Sequence, residues 1–344
     1  MRILLVAAAA LLSIGQASRP ASLQEIVKTR VDAGKNVGIV AGTIDASGRT
    51  AIAAYGNPGP GAMPLDADSV FEIGSITKVF TAILLADMAE RGEVKLDDPI
   101  AIYLPQTMRV PERSGRKITL IDLSTQTSGL PRMPDNFTPS DPRNPFKDYT
   151  VEQLYDFLSR HELRRDPGEL FEYSNVGVGL LGHVLTLAAK TPYEQLLKER
   201  ILDPLDMDHT AITLTPWMRQ HLARGHNNAN EPVPNWDGGT LAAAGALRST
   251  MNDMLTFARA NLQTTGRLQR VMQQTHAARA PAQKGFIGMN WIIRRLDGQE
   301  VIWHNGGTGG YRTWLGLDKK KGLAAVVLTN STHGADDLGF ALLK

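Results

Sequence analysis

Apolar residues at positions 79, 80, 83, 84 and 88 recur at helical spacing through Val79–Met88 and predict a buried helix over about 75–91. The same reading predicts helices near 151–160, 175–190, 193–202 and 250–262, and an amphipathic helix over Leu23–Val31. Both ends of the chain follow a different pattern. Asn36–Ile44 and Thr50–Tyr55 flank the turn Asp45–Arg49 and read as a hairpin. Short strand-like runs return at Met289–Arg294, Val301–His304, Tyr311–Leu317 and Leu323–Thr329. Asp297-Gly298 separates the first two and Asp318–Gly322 the last two. Strands at both ends around a helical middle are most economically joined into one sheet. The fold class is therefore α/β of the α+β kind: an antiparallel sheet from both termini, flanked by helices, with an all-helical region inserted. The sheet part is expected at about 18–70 plus 285–344 and the helical part at about 71–284. Pro131–Asp148 holds five prolines and is expected to be a long surface excursion bordering a cleft.

Composition narrows the partners. The chain has 344 residues, 42% hydrophobic and 21% charged, with a formal net charge of +2, so it can build a sizeable core and presents no basic field for nucleic acid. Absence of cysteine excludes disulfides, thiol catalysis and a lipid-modified cysteine. No two histidines stand at ligand spacing, so a catalytic zinc site is not expected, and the reading calls for no cofactor. Met1-Arg2 followed by Ile3–Leu12 has the basic start and short apolar core of a secretory signal, and Gly15-Gln16-Ala17 offers small residues for cleavage. Residues 1–17 are expected to be a signal peptide. The remainder, 18–344, would act as one domain in the periplasm, with no membrane span after cleavage.

Candidate chemistry begins at Phe71–Lys78, where a strand ends at Gly74 and delivers Ser75 onto the predicted helix. Ser75 and Lys78 are three residues apart and so share neighbouring helix surface, which lets the amine reach the hydroxyl. A lysine of ordinary pKa, about 10.4, is almost wholly protonated at neutral pH, and bringing it to about 7 needs roughly 4.6 kcal/mol of destabilisation of the ammonium. Burial beside the apolar helix can supply it. Ser114-Gly115-Arg116-Lys117 has the same spacing but reads as a solvated turn, so spacing alone does not identify a nucleophile.

Two further triplets carry the pattern on. Tyr173-Ser174-Asn175 lies on a loop entering a helix, whereas the similar Tyr55-Gly56-Asn57 ends a hairpin strand. His304-Asn305-Gly306 closes a strand, and Gly307-Thr308-Gly309-Gly310 lets backbone approach a ligand. Lys320-Lys321-Gly322 instead sits in a charged turn. Trp303 and Trp314 read as core or cleft wall.

The ordered set Ser75-x-x-Lys78, Tyr173-x-Asn175, His304-x-Gly306 resembles the serine β-lactamase and penicillin-binding protein superfamily. The branch it is most similar to contains class C β-lactamases, D-Ala-D-Ala carboxypeptidases and related esterases. Supporting phrases are Thr127–Pro131, Pro167-Gly168, Asp203-Pro204-Leu205 and Gly245–Thr250. The resemblance implies the β-lactamase/transpeptidase-like fold and an acyl-serine intermediate, with peptidoglycan peptides or β-lactams as substrates. It implies Ser75 as nucleophile, Lys78 and Tyr173 as proton carriers, and Asn175 holding the substrate amide and the lysine. The backbone amides of Ser75 and Gly307 would form the oxyanion hole, and His304 and Gly306 would line the substrate strand.

The pattern departs from the resemblance in two places. His304 stands where many relatives carry lysine, and a histidine is largely neutral at pH 7 unless its pKa is raised. Gln126 stands where many relatives show histidine. A carboxylesterase, or a penicillin-binding sensor that deacylates slowly, would use the same residues.

Overall fold

The computed structural model describes residues 21–344; the expected signal peptide lies outside them. Helix α1 (Leu23–Asp32) opens on a capping box, with Ser22 and Glu25 each bonding the other's backbone amide. The hairpin β1 (Gly38–Ile44) and β2 (Thr50–Gly56) follows. The nucleophile helix α2 (Thr77–Glu90) comes next, preceded by a single tight turn over Gly74–Ile76. Later helices are α3 (Val151–Arg160), α4 (Asn175–Ala189), α5 (Met251–Leu262) and α6 (Arg267–Thr275). The chain then returns to strands: β3 (Ala280–Ala282), β4 (Gly285–Ile287), β5 (Ile292–Leu296), β6 (Gln299–Gly307), β7 (Arg312–Asp318) and β8 (Leu323–Thr329). Helix α7 (Asp336–Leu342) is short.

These strands form one antiparallel sheet of eight in the order β2-β1-β8-β7-β6-β5-β4-β3, joined across the termini by β1 against β8. Antiparallel sheets commonly leave one face in water. In this sheet both faces are covered, and the alternation along each strand distributes the side chains. Val40, Val326 and Leu328 point into the large core shared with the helical region. Ile39, Ala41, Ala325 and Val327 point into a smaller core that also contains Val27 of α1 and Leu338 of α7. This two-sided burial makes β8 a continuous apolar run rather than an alternating one.

Helix α2 is apolar on all sides because it is central: every residue from Thr77 to Met88 is buried. Phe80 stacks on Phe257 of α5 at 4.1 Å between ring centroids. Asp87, fully enclosed near the far end of α2, is held by Arg91 at 2.8 Å and Arg267 at 2.6 Å. Lys78 therefore has no route to bulk water along the helix surface.

The structure departs from the sequence reading at the start of the terminal sheet. The β3–β4 hairpin precedes the expected first strand, and Met289–Trp291 is a buried turn with Asn290 at φ 56° instead of the start of β5. Strand β6 runs through to Gly307 instead of closing at His304. Helix α6 lies outside the helices that the apolar spacing predicts.

Candidate active site

The Ser75 turn is fixed from three sides. Phe71–Glu72 pairs with Arg248–Ser249, and Ile73 donates to the Leu247 carbonyl at 3.0 Å while its own carbonyl accepts from Thr313 Oγ1 at 2.9 Å. Thr77 Oγ1 donates to the Gly74 carbonyl at 2.7 Å and accepts from the Leu247 amide at 3.1 Å. Gly74, at φ 53°, supplies the left-handed corner, and a Cβ there would lie 2.6 Å from the Gly307 amide nitrogen. At Gly306 a Cβ would lie 1.9 Å from the Ile73 carbonyl oxygen. Both glycines let strand β6 press against the nucleophile turn and bring the Gly307 backbone beside Ser75.

We expect Gly306→Ala to cost about 1–3 kcal/mol, since strand and turn must separate to admit the methyl. Acylation should slow as the turn shifts. Denaturant midpoints measured beside the Ser75 labelling rate check this, and unchanged values for both would show that the close approach is dispensable.

Lys78 Nζ lies 2.9 Å from Ser75 Oγ and donates to the Ala244 carbonyl at 2.5 Å. Its side chain is wholly buried, and burial, reinforced by the nearby Arg132 charge, holds its pKa well below the ordinary 10.5. The position of the amine in the first turn of α2 adds the helix dipole to the same effect. Tyr173 responds in the opposite direction. Burial pushes its phenol up to about 12, against smaller lowering by a hydrogen bond with Ser75 and by Arg132. The Lys78 ammonium position and the Arg132 guanidinium both lie over the Tyr173 ring, at 4.9 Å and 5.0 Å from its centroid.

Ser75, Tyr173, Asn175, Gly306 and Gly307 all border one cavity of about 730 Å³, which Phe137 and Phe146 of the proline-rich excursion also line. The three look-alike stretches lie elsewhere, with Tyr55 on strand β2. Ser114 is exposed in a tight turn at φ 51°, and Lys320 and Lys321 are exposed between β7 and β8.

Two sequence expectations change. Asn175 borders the cavity, but its Nδ2 faces Met133 Sδ at 3.5 Å, and the second acceptor for Lys78 is the Ala244 carbonyl rather than Asn175. His304 is buried behind Tyr173, with ring centroids 6.3 Å apart, and does not reach the cavity surface. Its Nδ1 bonds the Asn305 carbonyl at 2.6 Å, and burial together with Lys78 lowers its pKa to about 3, so it is neutral. The substrate wall of this strand is made by its neighbours Trp303, Asn305, Gly306 and Gly307.

Gln126 acquires a role that sequence did not reveal. Its side-chain oxygen accepts from the Ser174 amide at 2.6 Å, and its carbonyl accepts from the Glu172 amide at 2.7 Å. Tyr173 is thereby clamped on both sides. The Gln126 Nε2 donates to Asn290 Oδ1 at 2.7 Å, tying the clamp to the buried turn before β5. The unusual backbone of Gln126, at φ 61°, allows both bonds from one residue.

A serine 2.9 Å from a buried amine whose pKa is held down, beside a phenol that keeps its proton, can take up an acyl group and return it to water. Comparison with known proteins agrees. The β-lactamase family profile matches residues 23–342. The D-alanyl-D-alanine-carboxypeptidase/endopeptidase AmpH of Escherichia coli K12 is 33% identical over 293 residues, covering 80% of this chain and 74% of that protein. A β-lactamase of the same organism is 30% identical over 307 residues, covering 78% of each. Two solved structures share the fold: the β-lactamase/D-alanine carboxypeptidase of Yersinia pestis, at TM-score 0.80, 24% identity and 93% and 98% coverage, and a class C β-lactamase of Rhodobacter sphaeroides, at 0.77, 24%, and 89% and 92%. With sequence pattern, fold and family profile in agreement, the chain belongs to the β-lactamase family and is a serine hydrolase of that family.

Proposed function

We propose that this chain is a periplasmic hydrolase that cleaves D-Ala-D-Ala peptide amides of peptidoglycan through an acyl-Ser75 intermediate, and that β-lactams enter the same route. The observation that carries the reading is the buried Lys78 amine 2.9 Å from the Ser75 hydroxyl at the edge of a cavity. Opposite displacement of two neighbouring pKa values supports the division of roles in this reading, with Lys78, pulled down, as the base and Tyr173, pushed up to about 12, as the acid.

In this mechanism Ser75 Oγ attacks the carbonyl carbon as its proton passes to Lys78 Nζ. The oxyanion is met by the Ser75 and Gly307 amides. Tyr173 gives its proton to the leaving nitrogen and is reprotonated by Lys78, the C–N bond breaks, and the acyl group remains as a serine ester. Water then adds to that ester, giving its proton to the Tyr173–Lys78 pair. The bond from the acyl carbon to Ser75 Oγ breaks and the oxygen recovers a proton, releasing a carboxylic acid. In this reading Asn175, which borders the cavity, turns its side chain to the substrate amide.

A carboxylesterase reading draws support from His304, which is neutral and enclosed where a cation would otherwise hold a substrate carboxylate. One preparation assayed on a D-Ala-D-Ala peptide, nitrocefin and a p-nitrophenyl ester separates these readings, with the peptide expected to give the highest kcat/KM. An ester preference by a wide margin would favour the esterase. A stoichiometric burst with no steady phase on all three would favour a slowly deacylating sensor. Export rests on the Met1–Ala17 pattern, and N-terminal sequencing of protein from a periplasmic extract should read from Ser18.

A further inference from the structure

Gly306-Gly307-Thr308-Gly309-Gly310 ends β6 and turns toward β7, and it carries one side chain, that of Thr308. Backbone bonds hold Thr308 from the β7 side: its amide donates to the Tyr311 carbonyl at 3.1 Å, and its carbonyl accepts from Arg312 Nη1 at 2.8 Å. The residue borders the catalytic cavity but is buried, and its hydroxyl faces Glu72, three residues before Ser75. Glu72 is itself buried, and its two oxygens are used differently. Oε1 accepts from Asn235 Nδ2 at 2.9 Å and from the Trp236 amide at 2.7 Å, with the Arg248 guanidinium 3.6 Å away. Oε2 has no closed hydrogen bond among the described residues, and neither has Thr308 Oγ1. Burial raises the Glu72 pKa above its ordinary 4.5, and the Thr308 hydroxyl is foremost among the groups that pull it back, ahead of Arg248. An open acceptor on a buried carboxylate and an open hydroxyl on the facing residue are complementary, and each is costly to leave unmet.

We infer that Glu72 and Thr308 are a positioning pair for the oxyanion hole: the carboxylate takes the Thr308 hydroxyl as its donor and through it fixes the Gly307 amide relative to the Ser75 amide. The inference rests on the reading that these two amides meet the oxyanion. Both partners are placed for the task. Glu72 belongs to the segment that delivers Ser75, and Thr308 directly follows Gly307. Between them the two segments touch, since a Cβ on Gly74 would lie 2.6 Å from the Gly307 amide nitrogen. The glycines around Thr308 leave the turn conformationally free, so its hydroxyl is the one side-chain handle of its own by which the turn can be held. An oxyanion hole works through donors fixed in advance, and an amide that drifts loses part of its effect. Through Oε1 the same carboxylate ties down Trp236, another residue of the cavity wall.

The experiment follows Ser75 acylation by p-nitrophenyl acetate, separating the limiting rate from the half-saturating concentration, beside the unfolding midpoint of each variant. Thr308→Val keeps the shape and removes the hydroxyl. Its limiting rate should fall about tenfold, less than the roughly 10²–10³ lost when an oxyanion donor is removed outright, with half-saturation and midpoint unchanged. Thr308→Ser, which restores the hydroxyl, should recover most of the rate. Glu72→Gln should slow acylation at least as much as Thr308→Val, and the double variant should be no slower than Glu72→Gln alone, because the two residues act through one bond. A wild-type rate in Thr308→Val, no recovery in Thr308→Ser, or losses that multiply in the double variant would overturn the inference. Should Glu72→Gln fail to fold once Arg248 loses its partner charge, the two Thr308 variants decide alone. If p-nitrophenyl acetate and fluorescent penicillin both leave wild-type Ser75 unmodified, the hydrolase reading has failed and the inference with it. Wild-type acylation that is indifferent to the Thr308 hydroxyl refutes only the pair.

Discussion

Ser75→Ala is expected to abolish the covalent adduct that a fluorescent penicillin leaves on the wild-type protein and to lower turnover by on the order of 10⁶. The loss should be chemical and not structural. Removing the hydroxyl takes one hydrogen bond from Lys78, but the Ala244 carbonyl at 2.5 Å remains, and the turn is still held by Ile73, Thr77 and Thr313. Unfolding midpoints should therefore stay close to wild type. Ser114→Ala supplies the counterpart, because that serine has the same three-residue spacing to a lysine but lies exposed in a turn, and its removal should leave labelling unchanged. Intact mass settles the outcome. An undiminished adduct in Ser75→Ala would place the nucleophile elsewhere and remove the basis of the proposed mechanism.

The contrast between these two serines shows what can be read from sequence. Ser75 and Lys78 are joined by local geometry, since helical spacing brings positions three apart together, and the apolar run that follows signals burial of the amine. Tyr173 was legible as a loop side chain at a helix entry for a similar reason. What fixes Tyr173 was not. Gln126 is more than forty residues away in sequence, and its grip on Ser174 and Glu172 exists only after the chain has closed on itself. The position of Arg132 over Tyr173 is likewise a tertiary fact, although the phrase Leu130-Pro131-Arg132 was in plain view. His304 illustrates an opposite difficulty. Its place on the strand was legible, but whether its ring faces substrate or packs behind Tyr173 depends on the course of β6, which continues to Gly307. The β3–β4 hairpin escaped because Pro281 and Gly285 interrupt it and it lies at the sheet edge, where no alternating apolar pattern is required.

Lys78→Ala is expected to reduce the acylation rate by about 10²–10⁴, the usual contribution of a positioned general base, while Ser75 and the cavity persist. The wild-type pH profile carries the same information in another form. Acylation requires a neutral Lys78, so the rate should rise with pH through a pKa held well below 10.5 by burial and then by Arg132. No falling limb is expected at moderately alkaline pH, because Tyr173 keeps its proton until about 12. His304, at about 3, contributes no inflection near neutrality. The groups facing Lys78 are thus Arg132, Tyr173 and His304, and since Tyr173 and His304 are uncharged over the working range, the facing charge is the Arg132 guanidinium. Neutralising it in Arg132→Gln should move the rising limb to higher pH. Stability carries a matching signature. Between the lowered folded pKa and 10.5 the unfolded chain holds a proton that the folded one has released. Stability from this residue therefore rises with pH across that window, by up to about 1.4 kcal/mol per unit, and is flat outside it. Subtracting the stability profile of Lys78→Ala from that of wild type isolates the slope. A rate limb lying at 10.5, or a difference profile without slope below it, would mean that the amine keeps its proton and that Ser75 is activated by some other group.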